Sequence, residues 1–292
     1  MPGTEAPMIA VSTWSIHRAL GVTFVNGPGS RSPFEPHYKF GTGALTLHQL
    51  PRELSRRGFH RVEICHFHLA STDVSYLRSL RATFDANAVV IQTLLIDDGD
   101  LSDSNCRERD IEWNAEWIEV ASNLGAEHVR VIAGKSRPTT RAIDFAIDGL
   151  SRLAEHGQKN QVRVVTENWF DLLPGSKEVH FVLDALEGRV GLLADTCNWT
   201  GPGRYKELES IFARAELCHA KCHFGKKLEM DTIDFGNCLN AAIQAGYSGP
   251  FTLIYEGSGD EWCGLEQERQ FLLLHRLKRS ELTVLEARTS CS

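Results

Sequence analysis

Four side chains that commonly bind metal ions follow short apolar runs in the second half of the chain. In chain order they are Glu167, Asp195, His219 and Glu256. Carboxylates that converge beside apolar segments are costly to desolvate, and they repel one another unless a cation lies among them. Three carboxylates and one imidazole suit Mn²⁺, Mg²⁺ or Co²⁺, and they also admit Zn²⁺. We therefore predict that these four residues bind one divalent ion, with Mn²⁺ as the first expectation.

Each of these residues also has an ordinary structural explanation when it is taken alone. Glu167 would pair with an arginine from a helix, and Asp195 would stabilise a turn, because D-T-x-N is good turn chemistry. His219 would be a hydrogen-bonded histidine of the core. Their joint occurrence after four consecutive runs, in the order Glu, Asp, His, Glu, is harder to explain in this way and favours the metal site.

The segments that carry these residues belong to a regular alternation of apolar, β-branched runs and amphipathic helical stretches. The runs predict eight strands, over residues 8–16, 60–69, 89–97, 128–134, 162–169, 190–199, 216–224 and 250–257. Glycine, which accepts a left-handed backbone, ends four of the helical stretches, at Gly58, Gly125, Gly188 and Gly246. Eight β–α units without a long linker predict a single-domain (β/α)₈ TIM barrel over residues 1–292, with its core at about 8–275. A doubly wound open sheet is the alternative, but no Gly-rich phosphate turn follows an early strand.

In a barrel of this type, the carboxyl ends of the strands and the loops that follow them form the active site. The four candidate ligands are therefore expected to meet at one mouth. The first loop, about residues 17–43, is long and rich in Gly, Pro and aromatic residues, which predicts a lid or binding loop, or alternatively a floppy insertion. About residues 283–292 are expected to form a polar tail without an assigned role.

Composition excludes several classes of protein. The net charge of −7 and the pI near 6.0 argue against a nucleic-acid-binding protein, which would need a basic stripe. No apolar run is long enough to cross a membrane, and the first residues do not form a signal peptide. The eight cysteines include no C-x-x-C pair, so we expect reduced thiols and a cytoplasmic protein. A small-molecule partner is expected, and a homo-oligomer stays open.

The motifs resemble those of the xylose isomerase-like TIM-barrel superfamily. They are Glu167 after the fifth run, Asp195 in D-x-x-[polar], His219–Lys221 as H-x-K, and Tyr255–Glu256. The opening MIAVSTWSI and the segment GFHRVEI (58–64) are also similar. The resemblance covers about residues 8–275. The superfamily includes sugar isomerases and epimerases, hydroxypyruvate isomerase, inosose dehydratase and endonuclease IV.

The resemblance implies roles for individual residues. Glu167, Asp195, His219 and Glu256 would be the metal ligands, and the two glutamates would also act as the acid–base pair across the substrate. The ion would chelate a carbonyl and the adjacent hydroxyl, which acidifies the C–H between them and stabilises an enediolate. Glu63, His66 and His68 would bind substrate hydroxyls. Lys221 would stabilise developing negative charge or hold a phosphate or carboxylate.

Two positions depart from the family pattern. Asn198 stands where many members have a substrate-contacting histidine, and it can form hydrogen bonds but cannot shuttle a proton. Lys226 or Lys227 would replace an arginine of the epimerases. Trp14, Trp169 and Trp199 are predicted near the mouth, where an indole suits stacking on a sugar ring, whereas Phe67 is expected in the core.

The resemblance favours a metal-dependent isomerase or epimerase of a small sugar or sugar derivative. A lyase or dehydratase of a polyol on the same scaffold is the alternative, because both reactions begin with the same proton abstraction. A non-catalytic sugar-binding barrel also stays open. An endonuclease IV-like phosphodiesterase is disfavoured, because its zinc cluster needs more histidines at strand ends than this sequence has.

Overall fold

A computed structural model describes residues 8–30, 34–226 and 229–289. Eight parallel strands form a closed barrel in which each strand pairs with its neighbours in chain order and the last pairs with the first, which confirms the predicted TIM barrel. The strands are β1 Ile9–Ser12, β2 Arg61–Cys65, β3 Val90–Leu95, β4 His128–Arg130, β5 Arg163–Glu167, β6 Gly191–Asp195, β7 Ala215–Cys222 and β8 Phe251–Tyr255.

Helices follow the strands and surround the barrel. They are α1 Leu50–Arg56, α2 Val74–Ala86, α3 Arg107–Leu124, α4 Thr140–Lys159, α5 Ser176–Ala185, α6 Arg204–Phe212, α7 Thr232–Gln244 and α8 Glu261–Thr289. Gly125 ends α3 with a left-handed backbone (φ 73°), as expected for a glycine at this position. None of the helices in the described part of the chain combines the length and apolarity needed to cross a membrane.

Strand alternation separates two apolar layers. Outward-facing residues such as Val164 and Leu192 join the helices in the main core, whereas a smaller cluster fills the barrel interior. The interior cluster consists of Cys65, Leu95, Val165, Leu193 and Leu217, with Trp14 and Phe67 packed against it. Because successive strand residues face opposite sides, residues two positions beyond this cluster also point inward. Three of these positions are Glu167, Asp195 and His219.

The first loop has structure of its own. After β1 the chain forms a 3₁₀ turn, Thr13–Ile16, so the first predicted strand (8–16) ends early, at Ser12. A short helical turn, His17–Leu20, precedes an antiparallel hairpin that pairs Thr23–Val25 with Glu35–His37. Residues 31–33 of the predicted binding loop lie outside the described residues, and its role as a lid stays a prediction. At the other end, α8 continues through Thr289 into the predicted tail, and residues 290–292 are not described.

Candidate metal centre

Three of the four predicted ligands converge at the carboxyl end of the barrel. Glu167 and Asp195 are the last residues of β5 and β6, and His219 is the strand partner of Asp195 on β7. Each is at least 95% buried. One ligand atom from each residue lies within 4.8 Å of the others, and His219 Nδ1 is 3.7 Å from both Glu167 Oε1 and Asp195 Oδ2. This arrangement is a candidate ligand set for one small cation.

Glu63 fixes the orientation of the His219 ring. Its Oε2 lies 2.8 Å from His219 Nε2, and its Oε1 accepts hydrogen bonds from Gln92 Nε2 (3.0 Å) and Thr93 Oγ1 (2.9 Å). An acceptor-only carboxylate at Nε2 holds a proton on that nitrogen, which leaves Nδ1 for a cation. Nδ1 is the ring nitrogen that faces Glu167 and Asp195, so the imidazole presents its ligand atom to the two carboxylates.

The charges of this cluster shift the pKa values of its members. Burial alone would lower the pKa of His219, but Glu63, Asp195 and Glu167 reverse this and raise its pKa well above the ordinary value. Burial would likewise raise the pKa of Glu63, yet contact with His219 lowers it overall. Asp195 behaves in the same way, with Lys221 adding to the effect of His219, so its pKa is also lowered. Glu63 and Asp195 are therefore ionised in a buried site, where the positive charge of His219 stabilises both.

Backbone and amide groups hold the two carboxylates in place. The backbone N–H groups of Cys197 and Asn198 donate to Asp195 Oδ1 at 2.7 and 2.8 Å, which leaves Oδ2 facing His219. The Asn198 side chain donates from Nδ2 to Glu167 Oε1 at 2.8 Å. In this structure Asn198, which was expected to bind substrate, positions both candidate carboxylate ligands.

Arg130, which no sequence motif singled out, is buried beside Glu167. Its Nε lies 3.1 Å from Glu167 Oε2, although neither atom makes a hydrogen bond of good geometry. The guanidinium also donates to the Ile96 carbonyl at 2.6 Å, contacts Asp97, and lies 5.0 Å from the centre of the Trp169 ring. The sequence does contain an indication of this residue. In HVRVIAG a charged residue stands between two valines, at an inward-facing position of β4.

Glu256 is held apart from the other three ligands. Its Oε2 lies 2.8 Å from Lys221 Nζ, and its Oε1 accepts a hydrogen bond from Trp14 Nε1 at 3.0 Å. It is not part of the cluster of Glu167, Asp195 and His219, although its side chain is 40% exposed and lines the same cavity. Its role as the fourth ligand, and the acid–base role of both glutamates, stay predictions.

The cavity above these residues has a volume of about 290 Å³, at the lower end of the range for small-molecule sites. Its wall includes the aromatic residues Trp14, Phe67 and Trp169, so Phe67, which was expected in the core, faces the cavity. The charged residues on the wall are Asp97, Arg130, Glu167, Asp195, His219, Lys221 and Glu256. A concave site of this size, with aromatic walls and several polar groups, fits a small polar molecule.

The sequence model of the xylose isomerase-like TIM barrel family matches residues 51–274, about three quarters of the chain. The chain belongs to this family. A search of curated protein sequences finds no match.

Solved structures share the fold of this xylose isomerase-like barrel at low identity. L-ribulose 3-epimerase is 14% identical with a TM-score of 0.71, and the alignment covers 97% of this chain and 99% of that one. D-allulose 3-epimerase from Methylomonas sp. is 14% identical with a TM-score of 0.67, covering 94% and 100%. A xylose isomerase-like TIM barrel protein from Mycobacterium smegmatis, in complex with magnesium, is 14% identical with a TM-score of 0.64, covering 92% and 96%.

Several predicted site residues of this family member lie away from the cavity wall. Glu63 is fully buried behind His219. His66 lies edge-on against Trp113 and Trp117 and accepts the Asp97 backbone N–H at 3.2 Å. His68 is hydrogen-bonded to Thr13 Oγ1 at 2.9 Å. Trp199 is buried, and its Nε1 donates to the Leu173 carbonyl at 2.8 Å. Lys226 is exposed. Lys227 lies outside the described residues.

Proposed function

We propose that the protein is a divalent-metal-dependent isomerase or epimerase of a small sugar or sugar derivative. The observation that carries this proposal is the convergence of Glu167, Asp195 and His219 at the base of a cavity with aromatic walls. The structural similarity to sugar epimerases supports the same class.

The ligand set fits a hard or borderline divalent ion. Two carboxylates and an imidazole, whose Nδ1 is directed at them by Glu63, supply oxygen and nitrogen donors in a buried site. A bound ion would polarise a substrate carbonyl and stabilise the charge that develops when the adjacent C–H loses its proton. We expect Mn²⁺ first, with Mg²⁺, Co²⁺ and Zn²⁺ as alternatives.

The glutamates supply the proton transfers in this proposal. Glu256 and Glu167 enter the cavity from β8 and β5, three strands apart around the barrel. One carboxylate takes the proton from the carbon beside the carbonyl. Either the same glutamate then returns it, or the other glutamate, which must carry a proton in the substrate complex, returns its own. Return to the opposite face of the same carbon gives an epimer, and return to the neighbouring carbon gives an isomer.

Lys221 and Trp14 hold the Glu256 carboxylate ready for this role. The Lys221 ammonium group contacts Oε2 and the Trp14 indole N–H donates to Oε1, so the orientation of the carboxylate is fixed before substrate binds. Lys221 also places a positive charge beside the cavity, where it stabilises negative charge that develops on a substrate oxygen.

The same ammonium group keeps a lyase or dehydratase as the second candidate. An N–H donor beside the catalytic carboxylate is suited to protonating a departing hydroxyl group, so that water is expelled after the first proton abstraction. The two functions differ in their products, because the dehydratase product has lost water and the epimerase product has the mass of its substrate.

The cysteines support a proposed cytoplasmic location. Each of the seven cysteines within the described residues is a free thiol, and four of them are buried. Free thiols of this number are typical of reducing compartments.

Deuterium exchange tests the proposed function. The protein is incubated with Mn²⁺ and a panel of ketoses, aldoses and polyols in D₂O, and products are analysed by mass spectrometry. We expect one substrate class to gain deuterium beside the carbonyl, and we expect Glu256→Gln to slow this by about 10²–10⁴-fold. The surface variant Glu119→Gln should behave as the wild type. Absence of exchange in every compound, with metal bound, would reject the proposal.

A further inference from the structure

A second group of metal-ligating side chains lies on the loops that follow β6 and β7. It consists of Cys197, His223 and Asp234, each of which offers a ligand atom within 4.8 Å of the other two. Cys197 follows β6, His223 follows β7, and Asp234 is in the first turn of α7. None of the three lines the cavity above Glu167, so this group is separate from the first site.

The polar groups of this cluster are incompletely satisfied. Asp234 Oδ2 is buried and has no hydrogen-bond partner within the described residues. The His223 ring likewise makes no hydrogen bond with any residue that the structure describes. The Cys197 thiol donates to the Lys221 carbonyl at 3.3 Å and lies 3.8 Å from Thr196 Oγ1, and a thiol is a weak hydrogen-bond donor. The thiol, the imidazole and the carboxylate therefore lie close together without hydrogen bonds to one another among the described residues.

The outer contacts of Asp234 are those of a ligating carboxylate. Arg204 and the Tyr205 hydroxyl, the latter at 2.6 Å, both bind Oδ1, which fixes the carboxylate and leaves Oδ2 free. Protein metal sites use such outer partners to orient their ligands. Arg204 also neutralises part of the charge of Asp234, so this carboxylate is stable before any ion binds.

A nucleophilic triad explains the cluster less well. A Cys–His–Asp triad needs hydrogen bonds from cysteine to histidine and from histidine to aspartate, and neither bond is present among the described residues. Around a tetrahedral zinc ion, by contrast, the ligand atoms lie roughly 3.3–3.6 Å apart and form no hydrogen bonds with one another. The observed spacing, within 4.8 Å, needs only small side-chain movements to reach that geometry.

We propose that Cys197, His223 and Asp234 bind a second divalent ion of the zinc class, with water completing the coordination. Sulfur, nitrogen and oxygen donors together favour a borderline-soft ion, whereas the first site has no sulfur ligand. The exposed His223 gives the ion access from solvent. The ion links the loops after β6 and β7 to α7. It also borders the first site, because the Cys197 backbone N–H donates to Asp195 Oδ1.

Cobalt titration tests this second site by a signal that the first site cannot give. The full-length protein is stripped with a chelator and titrated with Co²⁺, and the sulfur-to-cobalt charge-transfer absorption is followed in the near ultraviolet. We expect a band that saturates at one thiolate-bound Co²⁺ per chain. Zn²⁺ should then displace the cobalt and abolish the band.

Matched variants assign the signal to residues. Cys197→Ser should abolish the band. His223→Ala, which replaces the exposed ligand, should weaken Co²⁺ binding at least about tenfold. Glu167→Gln, which alters the first site only, and Cys263→Ser, which removes an exposed thiol elsewhere, should keep it. Absence of the band in the wild type, or its retention in Cys197→Ser, would overturn the proposal. These outcomes do not depend on enzymatic activity.

Discussion

The Glu63 carboxylate lies 2.8 Å from Nε2 of His219, although the two residues are 156 positions apart in the chain. This contact decides which ring nitrogen faces Glu167 and Asp195. It also connects β3 to the candidate metal centre, because Gln92 and Thr93 on β3 donate hydrogen bonds to Glu63. Residues on three strands, β2, β3 and β7, therefore fix the orientation of the imidazole.

Replacing Glu63 by Gln should weaken metal binding with little change of shape. The amide no longer demands a proton on Nε2, so the ring loses its preference for presenting a bare Nδ1. We expect the affinity for Mn²⁺ to fall by about 10–100-fold. Isothermal titration with Mn²⁺ measures this, and Glu119→Gln on the surface serves as control. An unchanged affinity in a folded Glu63→Gln protein would show that Glu63 does not set the ligand nitrogen.

Arg130→Met should destabilise the metal-free protein strongly and the metal-loaded protein less. Without the guanidinium, the buried Glu167 carboxylate has lost its nearest cation, and removing one partner of a buried ion pair typically costs about 3–5 kcal/mol. A bound ion neutralises Glu167, so saturating Mn²⁺ should raise the melting temperature of this variant more than that of the wild type.

The matched control for Arg130 is Arg152→Met. Arg152 pairs with Glu108 on the surface, where such pairs contribute about 0–1 kcal/mol. Its response to Mn²⁺ should equal that of the wild type. Equal Mn²⁺-induced shifts in Arg130→Met and Arg152→Met would contradict a link between Arg130 and the metal site.

Glu268→Gln should stabilise the protein at alkaline pH. Glu268 is fully buried on α8, and neither carboxyl oxygen makes a hydrogen bond of good geometry within the described residues. Burial, and to a lesser degree the charge of Glu256, raise its pKa well above the ordinary 4.5. Above about pH 4.5 the folded protein therefore keeps a proton on Glu268 that the unfolded chain releases. The wild-type protein is consequently most stable, as far as Glu268 is concerned, below about pH 4.5, and it loses stability as the pH rises.

Urea unfolding at pH 6, 7 and 8 measures this effect. The advantage of Glu268→Gln over the wild type should grow with pH, by at most about 1.4 kcal/mol per unit. Glu266→Gln, on the same helix but partly exposed, should show no such trend. A stability difference for Glu268→Gln that is constant across this range would mean that the carboxyl group is ionised in the folded state.

Trp169→Ala should raise KM and leave kcat nearly unchanged. The indole lines the cavity and packs against Phe170, with ring centres 4.3 Å apart, so it offers a fixed face for a sugar ring. Loss of about 1 kcal/mol of stacking corresponds to a roughly fivefold higher KM. Steady-state kinetics on the substrate found by deuterium exchange measure this, with the core variant Trp199→Phe as control. An unchanged KM for Trp169→Ala would count against stacking.

The barrel was predictable because its signal is local. Each strand shows an apolar run, and each following helix shows its own periodicity, so eight units can be counted without knowing any contact. All eight predicted strands are longer than the observed ones. At β1 and β2 the reason is that the chain turns into short 3₁₀ segments, at Thr13–Ile16 and His66–His68. Polar residues next to an apolar run do not show whether the strand has already ended.

The candidate site was predictable only in part. Strand alternation and the common end of parallel strands bring Glu167, Asp195 and His219 together, and both features can be inferred from sequence. The pairing of Glu256 with Lys221, of Glu63 with His219 and of Arg130 with Glu167 depends on side-chain conformations at contacts distant in sequence. Local sequence carries no such information, and the same holds for the cluster of Cys197, His223 and Asp234.

The most direct test of the metal centre is the metal content of the purified protein. Elemental analysis is made after incubation with Mn²⁺ and gel filtration, in a Cys197→Ser background so that the second proposed site does not contribute. We predict one divalent ion per chain, and we predict its loss in the Glu167→Gln/Glu256→Gln double variant; the two single variants show whether Glu256 is a ligand. If the protein holds no metal after this treatment, or if the double variant holds as much as its parent, the metal centre is contradicted and a metal-free binding role is favoured.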